Sequence, residues 1–124
     1  MMKNILVVAL VLAGTTAATA APSPSGDWRS ATGDSRYQIS MCGDGKSVCA
    51  RLTWLRADAR TPENLKYLNK QVVQAKPTGG NSWRGTVNLH GTRASGNLTM
   101  KDANTIQVQG CKAIFCRTMQ FKRV

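Results

Sequence analysis

The chain has 124 residues, with 17 lysines and arginines against six acidic residues and a single histidine, for a formal charge of +11. That length supports one domain with one core. So few acids, and His90 alone beside Gly91, speak against paired-carboxylate or histidine-based catalysis and against a histidine-rich metal site. The basic residues are spread along the chain, whereas specific nucleic-acid recognition needs them gathered on one face.

The beginning reads as an export signal. Met1-Met2-Lys3-Asn4 is a short positive start, Ile5 to Ala13 is an apolar run, and Ala18-Thr19-Ala20 fits the small-residue cleavage pattern. The run is shorter than the ~20 residues needed to span a bilayer, and no cysteine at the cleavage region offers a lipid anchor. Residues 1–20 are therefore expected to be cleaved, leaving no transmembrane anchor. Lys3 is the only charge lost, which takes the formal charge to +10. Residues 21–25, with Pro22 and Pro24, read as an extended leader because neither proline has a donor. A single domain over 26–124 follows.

Within that domain the pattern has period two. Tyr37, Ile39 and Met41 alternate with Gln38 and Ser40, and Val48, Ala50, Leu52 and Trp54 alternate with Cys49, Arg51 and Thr53. Trp83, Val87 and Leu89 share a phase opposite to Arg84, Thr86, Asn88 and His90. Leu98 and Met100, Ile106 and Val108, and Met119 and Phe121 continue the series. Such alternation marks strands with one buried and one wet face. Gly43-Asp-Gly45, Pro77 to Asn81, His90-Gly91 and Asp102-Ala-Asn104 supply turns between them. Thr61-Pro62-Glu63 has a capping residue, a proline at the first helical position and an acid in the first turn, so a short helix is expected to about Asn69, with Leu65 and Leu68 on one side. The fold expected is all-β, an antiparallel up-and-down barrel of seven or eight strands with one short helix, since closure removes exposed edges.

Four cysteines permit three pairings. Cys42 with Cys49 and Cys111 with Cys116 are the expected bridges, because each pair brackets a plausible strand-to-strand turn that brings the Cα atoms within ~7 Å. A four-thiolate zinc site is the rival, but the six residues between Cys42 and Cys49 exceed the usual ligand spacing, and export oxidises the thiols zinc would need.

Several stretches together resemble the bacterial family called domain of unknown function 2147. They are Gly26-Asp-Trp28, the block from Cys42 to Arg51-Leu-Thr-Trp54-Leu, Asn81-Ser-Trp83-Arg-Gly85-Thr-Val87, and Gly110-Cys111 through Cys116-Arg-Thr-Met-Gln-Phe121. The resemblance implies a small calycin-like barrel, related in architecture to lipocalins, in an exported bacterial protein, periplasmic or secreted. It implies no activity and no cofactor.

The function expected is therefore a non-catalytic binding module of the cell envelope, holding a small apolar or anionic molecule at the barrel mouth. Trp28, Trp54 and Trp83, with Arg51 and Arg84, are the candidate ligand-binding residues, because aromatic walls with a few polar groups suit small ligands. The other reading, that the same tryptophans plug the barrel and stack in its core, is the more common role for buried aromatics. A second function class is an interaction protein, whose basic surface contacts an acidic envelope polymer, lipid headgroups or a partner protein. A hydrolytic enzyme is the least supported class, for want of convergent titratable groups. With a barrel of this size filled by medium-to-large inward side chains, binding is expected at the rim or on the outer surface, and the chain is expected to be a monomer.

Overall fold

The computed structural model describes residues 22–89 and 92–124; His90 and residues 1–20 lie outside them. Eight antiparallel strands run in chain order around a closed barrel: β1 (Gly26–Ser30), β2 (Ser35–Met41), β3 (Val48–Leu55), β4 (Gln71–Gly79), β5 (Ser82–Leu89), β6 (Thr92–Asp102), β7 (Thr105–Lys112) and β8 (Phe115–Arg123). Closure comes from β1 against β8, where Trp28 faces Arg123 and Ser30 faces Phe121. The end where β1 begins and β8 finishes is the base. The other end, reached by the β1–β2, β3–β4, β5–β6 and β7–β8 connections, is the mouth.

Alternation explains most of the wall. Ile39, Ala50, Val87, Leu98, Ile106, Val108 and Phe121 point inward and are buried, and Tyr37 packs edge-on against Phe121 with ring centroids 5.2 Å apart. Two register shifts break the alternation. Arg36 pairs with Trp54 but Tyr37 pairs with Leu52, so Thr53 is an extra residue on β3. A bulge of this kind turns the following side chain to the other face. Leu52 and Leu55 therefore face the core, and Trp54 is 41% exposed on the outer wall, not in phase with Leu52 as strict alternation predicts. On β4, Ala50 pairs with Val73 but Arg51 with Gln71, which lets Val72 and Val73 both be buried.

Between β3 and β4 the chain makes a 3-10 turn (Ala57–Ala59) and helix α1 (Pro62–Leu65). Thr61 caps α1, its hydroxyl accepting from the Asn64 N–H. The helix is shorter than expected. After Leu65 the chain is drawn back to the barrel by a parallel bridge from Leu68 to Leu52, and Asn69 adopts a positive φ of 62°. Leu68 consequently packs on the core while Leu65 stays 39% exposed.

Both disulfides form, Cys42–Cys49 across the β2–β3 turn at the base and Cys111–Cys116 across the β7–β8 turn at the mouth. They fit a non-reducing, exported environment. In the base loop the Asp44 carboxylate accepts from the Ser47 hydroxyl and from the Lys46 and Ser47 N–H groups. These donors, the Ser47 hydroxyl foremost, hold its pKa down to about 2. The loop is thus fixed by a group that stays charged at neutral pH.

Candidate functional site

The base is sealed. Trp28 is fully buried, its indole N–H donating to the Pro24 carbonyl at 2.8 Å, with the Arg123 guanidinium 4.4 Å from its ring centroid. Arg123 then donates to the Ser23, Ser25 and Ala103 carbonyls. Residues 22–25 are folded across the base as a result, and Pro24 is buried. Trp83, also buried, donates its indole N–H to the Lys46 carbonyl at 3.1 Å. Above these plugs the remaining space is about 30 Å³, enclosed by side chains such as Trp28, Ile39, Val87, Leu98 and Phe121. That is room for about one water molecule, and its walls are apolar.

The mouth is open. A cavity of about 250 Å³ is lined by Tyr37, Leu52, Leu55, Val72 and Met119, with Thr32, Asp34 and Ser35 from the β1–β2 connection, Ala59, Asn64 and Tyr67 from the β3–β4 connection, and Asn88 and Arg117. The cap over this cavity is ordered by the Asn64 side-chain amide, which donates to the Ala59 carbonyl at 2.9 Å. A shallower hollow continues along the inner face of β6–β8, between Thr92, Ala94, Gly110, Lys112, Phe115 and Arg117. Arg117 belongs to both spaces.

The charges at the mouth have different fates. Asp34 sits in a turn network in which the hydroxyls of Ser30, Thr32 and Ser35 donate to its Oδ1 at 2.6, 2.9 and 3.2 Å. Burial pushes its pKa up, but those three donors outweigh burial and hold it below the ordinary range. The Oδ1 oxygen is thus committed to the turn. Burial, aided by the Asp34 charge, raises the Tyr37 pKa against the Ser35 hydroxyl, so the phenol stays neutral. Arg56 pairs with Asp58, with contacts of 2.7 and 2.9 Å. Among the described residues no hydrogen bond or ion pair engages the Arg117 side chain. It is an uncommitted cation over an apolar floor.

The residues expected from the sequence do not converge. Trp28 and Trp83 close the base, each tied by its N–H to a backbone carbonyl. Trp54 is on the outer wall with the Arg36 guanidinium 5.3 Å from its ring. Arg51 is exposed and donates to the Gln38 side chain at 2.9 Å, and Arg84 is exposed on β5. The mouth residues Tyr37, Leu52, Met119 and Arg117 carried a signal of their own, since Arg117 keeps the inward phase of Met119 and Phe121. Among the described residues no group of three or more His, Cys, Asp and Glu side chains is placed to hold a metal, and no helix is long and apolar enough to cross a membrane.

The barrel is similar to solved structures at low identity. One is described as protein HP1028 from Helicobacter pylori, belonging to the lipocalin family; it shares 14% identity and a TM-score of 0.58, over 82% of this chain and 83% of that one. Another is a redesigned β-barrel, at 8% identity and a TM-score of 0.51, over 81% of this chain and 90% of that one. Among curated proteins none matches. A family model described as "Uncharacterized protein conserved in bacteria (DUF2147)" matches residues 26–123, and the chain belongs to that family.

Proposed function

We propose that the protein is an exported, non-catalytic binding module of the bacterial cell envelope that holds a small amphipathic molecule in the mouth of the barrel. The observation that carries this reading is the asymmetry of the interior, sealed and filled at the base but hollow by about 250 Å³ at the mouth. An open hollow with an apolar floor and a few polar groups at its rim is the form that small-molecule sites take. Its volume corresponds to about eight water-sized groups at ~30 Å³ each, which suits a short acyl chain or a single aromatic ring. The apolar floor of Leu52, Leu55, Val72 and Met119 takes the body of the molecule. Arg117 at the rim takes an anionic end, for which its planar, permanently charged fork is suited. Trp54, Arg51 and Arg84 lie on the outer wall and take no part in this cavity.

Native mass spectrometry of protein purified from its own periplasm tests the proposal. A mass excess of one small molecule, released on denaturation, is the expected result, together with loss of residues 1–20. Material carrying only the bare polypeptide mass would count against an occupied mouth.

A further inference from the structure

The mouth end of the barrel also carries an unusual surface. Four of the exposed large hydrophobic side chains, Trp54, Leu65, Ile114 and Phe115, belong to its strand ends and connections, and Ile114 and Phe115 are 87% and 77% exposed. The last two form the tip of the β7–β8 hairpin, where Lys112 pairs with Phe115 and Cys111 with Cys116. Ala113, at φ 54°, turns the tip in a conformation that glycine would adopt at lower cost. The disulfide directly beneath holds that turn closed. Two bulky apolar residues are thus presented to solvent on a rigid finger, flanked by the exposed cations Lys112 and Arg117, with Arg93 on the adjoining strand.

We infer that this stapled tip docks the mouth of the barrel onto an anionic lipid surface, with Ile114 and Phe115 entering the headgroup–acyl boundary and Lys112 and Arg93 contacting the headgroups. Charge complementarity selects this partner, because a chain of formal charge +11, or +10 without Lys3, is drawn to anionic membranes, and apolar insertion combined with cations gives the two signals that stable peripheral binding requires. The staple prepays the ordering of the tip. Docked in this way, the open cavity faces the bilayer and the sealed base faces away. The inference does not depend on what the mouth holds, and its test reads vesicle binding alone.

The experiment is flotation of the full mature chain, disulfides intact, with vesicles of phosphatidylcholine alone and of phosphatidylcholine mixed with phosphatidylglycerol, at low and moderate salt. The wild type should float with the mixed vesicles, and less so as salt rises. The pair Ile114→Ser and Phe115→Ser should weaken binding at least about ten-fold, with thermal unfolding and retention on soluble polyglutamate unchanged. Lys112→Gln should weaken it by about five-fold. A wild type that stays with the soluble fraction in every mixture overturns the inference. So does a serine pair that floats as well as the wild type, which would assign the attraction to charge alone and not to the stapled tip. A wild type that fails to float but sediments as a dimer dissociated by the serine pair would assign the tip to a second copy, and also overturns it.

Discussion

Replacing Trp28 with alanine should cost about 3 to 5 kcal/mol of stability, as large-to-small changes at sealed aromatic sites do. Three losses act together. The ring is fully buried among apolar side chains, its N–H holds the Pro24 carbonyl, and its face seats the Arg123 guanidinium, which in turn pins residues 23 and 25. Single domains are stable by only about 5 to 15 kcal/mol in total, so the variant should unfold roughly 15 to 30 °C below the wild type. Trp28→Phe keeps most of the volume and loses the hydrogen bond, and should cost about 1 to 2 kcal/mol. Trp54→Ala, on the outer wall, should stay within about 1 kcal/mol. Denaturant unfolding of the three variants, with disulfides intact, gives the ranking. A Trp28→Ala midpoint close to that of Trp54→Ala would mean that the base is not sealed by that ring.

Gly85→Ala should be comparably damaging for a different reason. Gly85 pairs with Ala75 on one side and Gly96 on the other, and Gly96 pairs with Gly110, which gives a row of minimal side chains across β4–β7 where the wall coils tightly. A Cβ on Gly85 would lie 2.0 Å from the Gln74 carbonyl oxygen and 2.6 Å from the Ala75 Cα. Those are backbone atoms of the paired strand, and they cannot withdraw without opening the β4–β5 ladder. Overpacking that neighbours can relieve costs ~1–3 kcal/mol, so Gly85→Ala should reach or exceed about 3 kcal/mol. Gly96 differs. Its added Cβ would meet the Val87 Cγ2 at 2.2 Å, a side chain that fills the space glycine leaves. Gly96→Ala should cost about 1 to 2 kcal/mol, and Val87→Ala in the same chain should recover part of it, as a favourable coupling of about 1 kcal/mol in a double-mutant cycle. No such rescue is expected for Gly85→Ala, because no side chain stands in the way. Equal costs at the two glycines would show that the ladder yields where the geometry says it cannot.

The barrel was legible in the sequence because period-two alternation survives in β2, β6, β7 and β8, and because Gly43-Asp-Gly45 and Asp102-Ala-Asn104 mark turns by composition alone. Both bridges were legible for the same local reason: each cysteine pair spans one hairpin turn. What was not legible depends on pairing. The phase of Trp54 is reversed by a bulge defined by its partners Arg36 and Tyr37, and the paired burial of Val72 and Val73 comes from a second bulge opposite Ala50 and Arg51. No local pattern in β3 or β4 announces either.

Residue type alone does not say which role a tryptophan takes. Trp28 and Trp83 take the core-packing role, as indole plugs hydrogen-bonded to backbone at the base, whereas Trp54 lies on the outer wall. Arg117 holds the inward phase of Met119 and Phe121, a signal carried by position and not by residue type. A cation at an inward position near a strand end is the signal that marks a wet, open interior. Which end is hollow still needed the three-dimensional arrangement, because it depends on the segment 56–70 arching beside the mouth and on residues 22–25 crossing the base.

The hollow end of the cylinder is best examined by titrating ¹⁵N-labelled mature protein with octanoate and following backbone amide shifts. A saturable response confined to Tyr37, Leu52, Leu55, Val72, Arg117 and Met119, with Val48, Ala75 and Met100 at the base unmoved, is the outcome predicted. Shifts scattered over the outer wall, or none at millimolar octanoate, would contradict it.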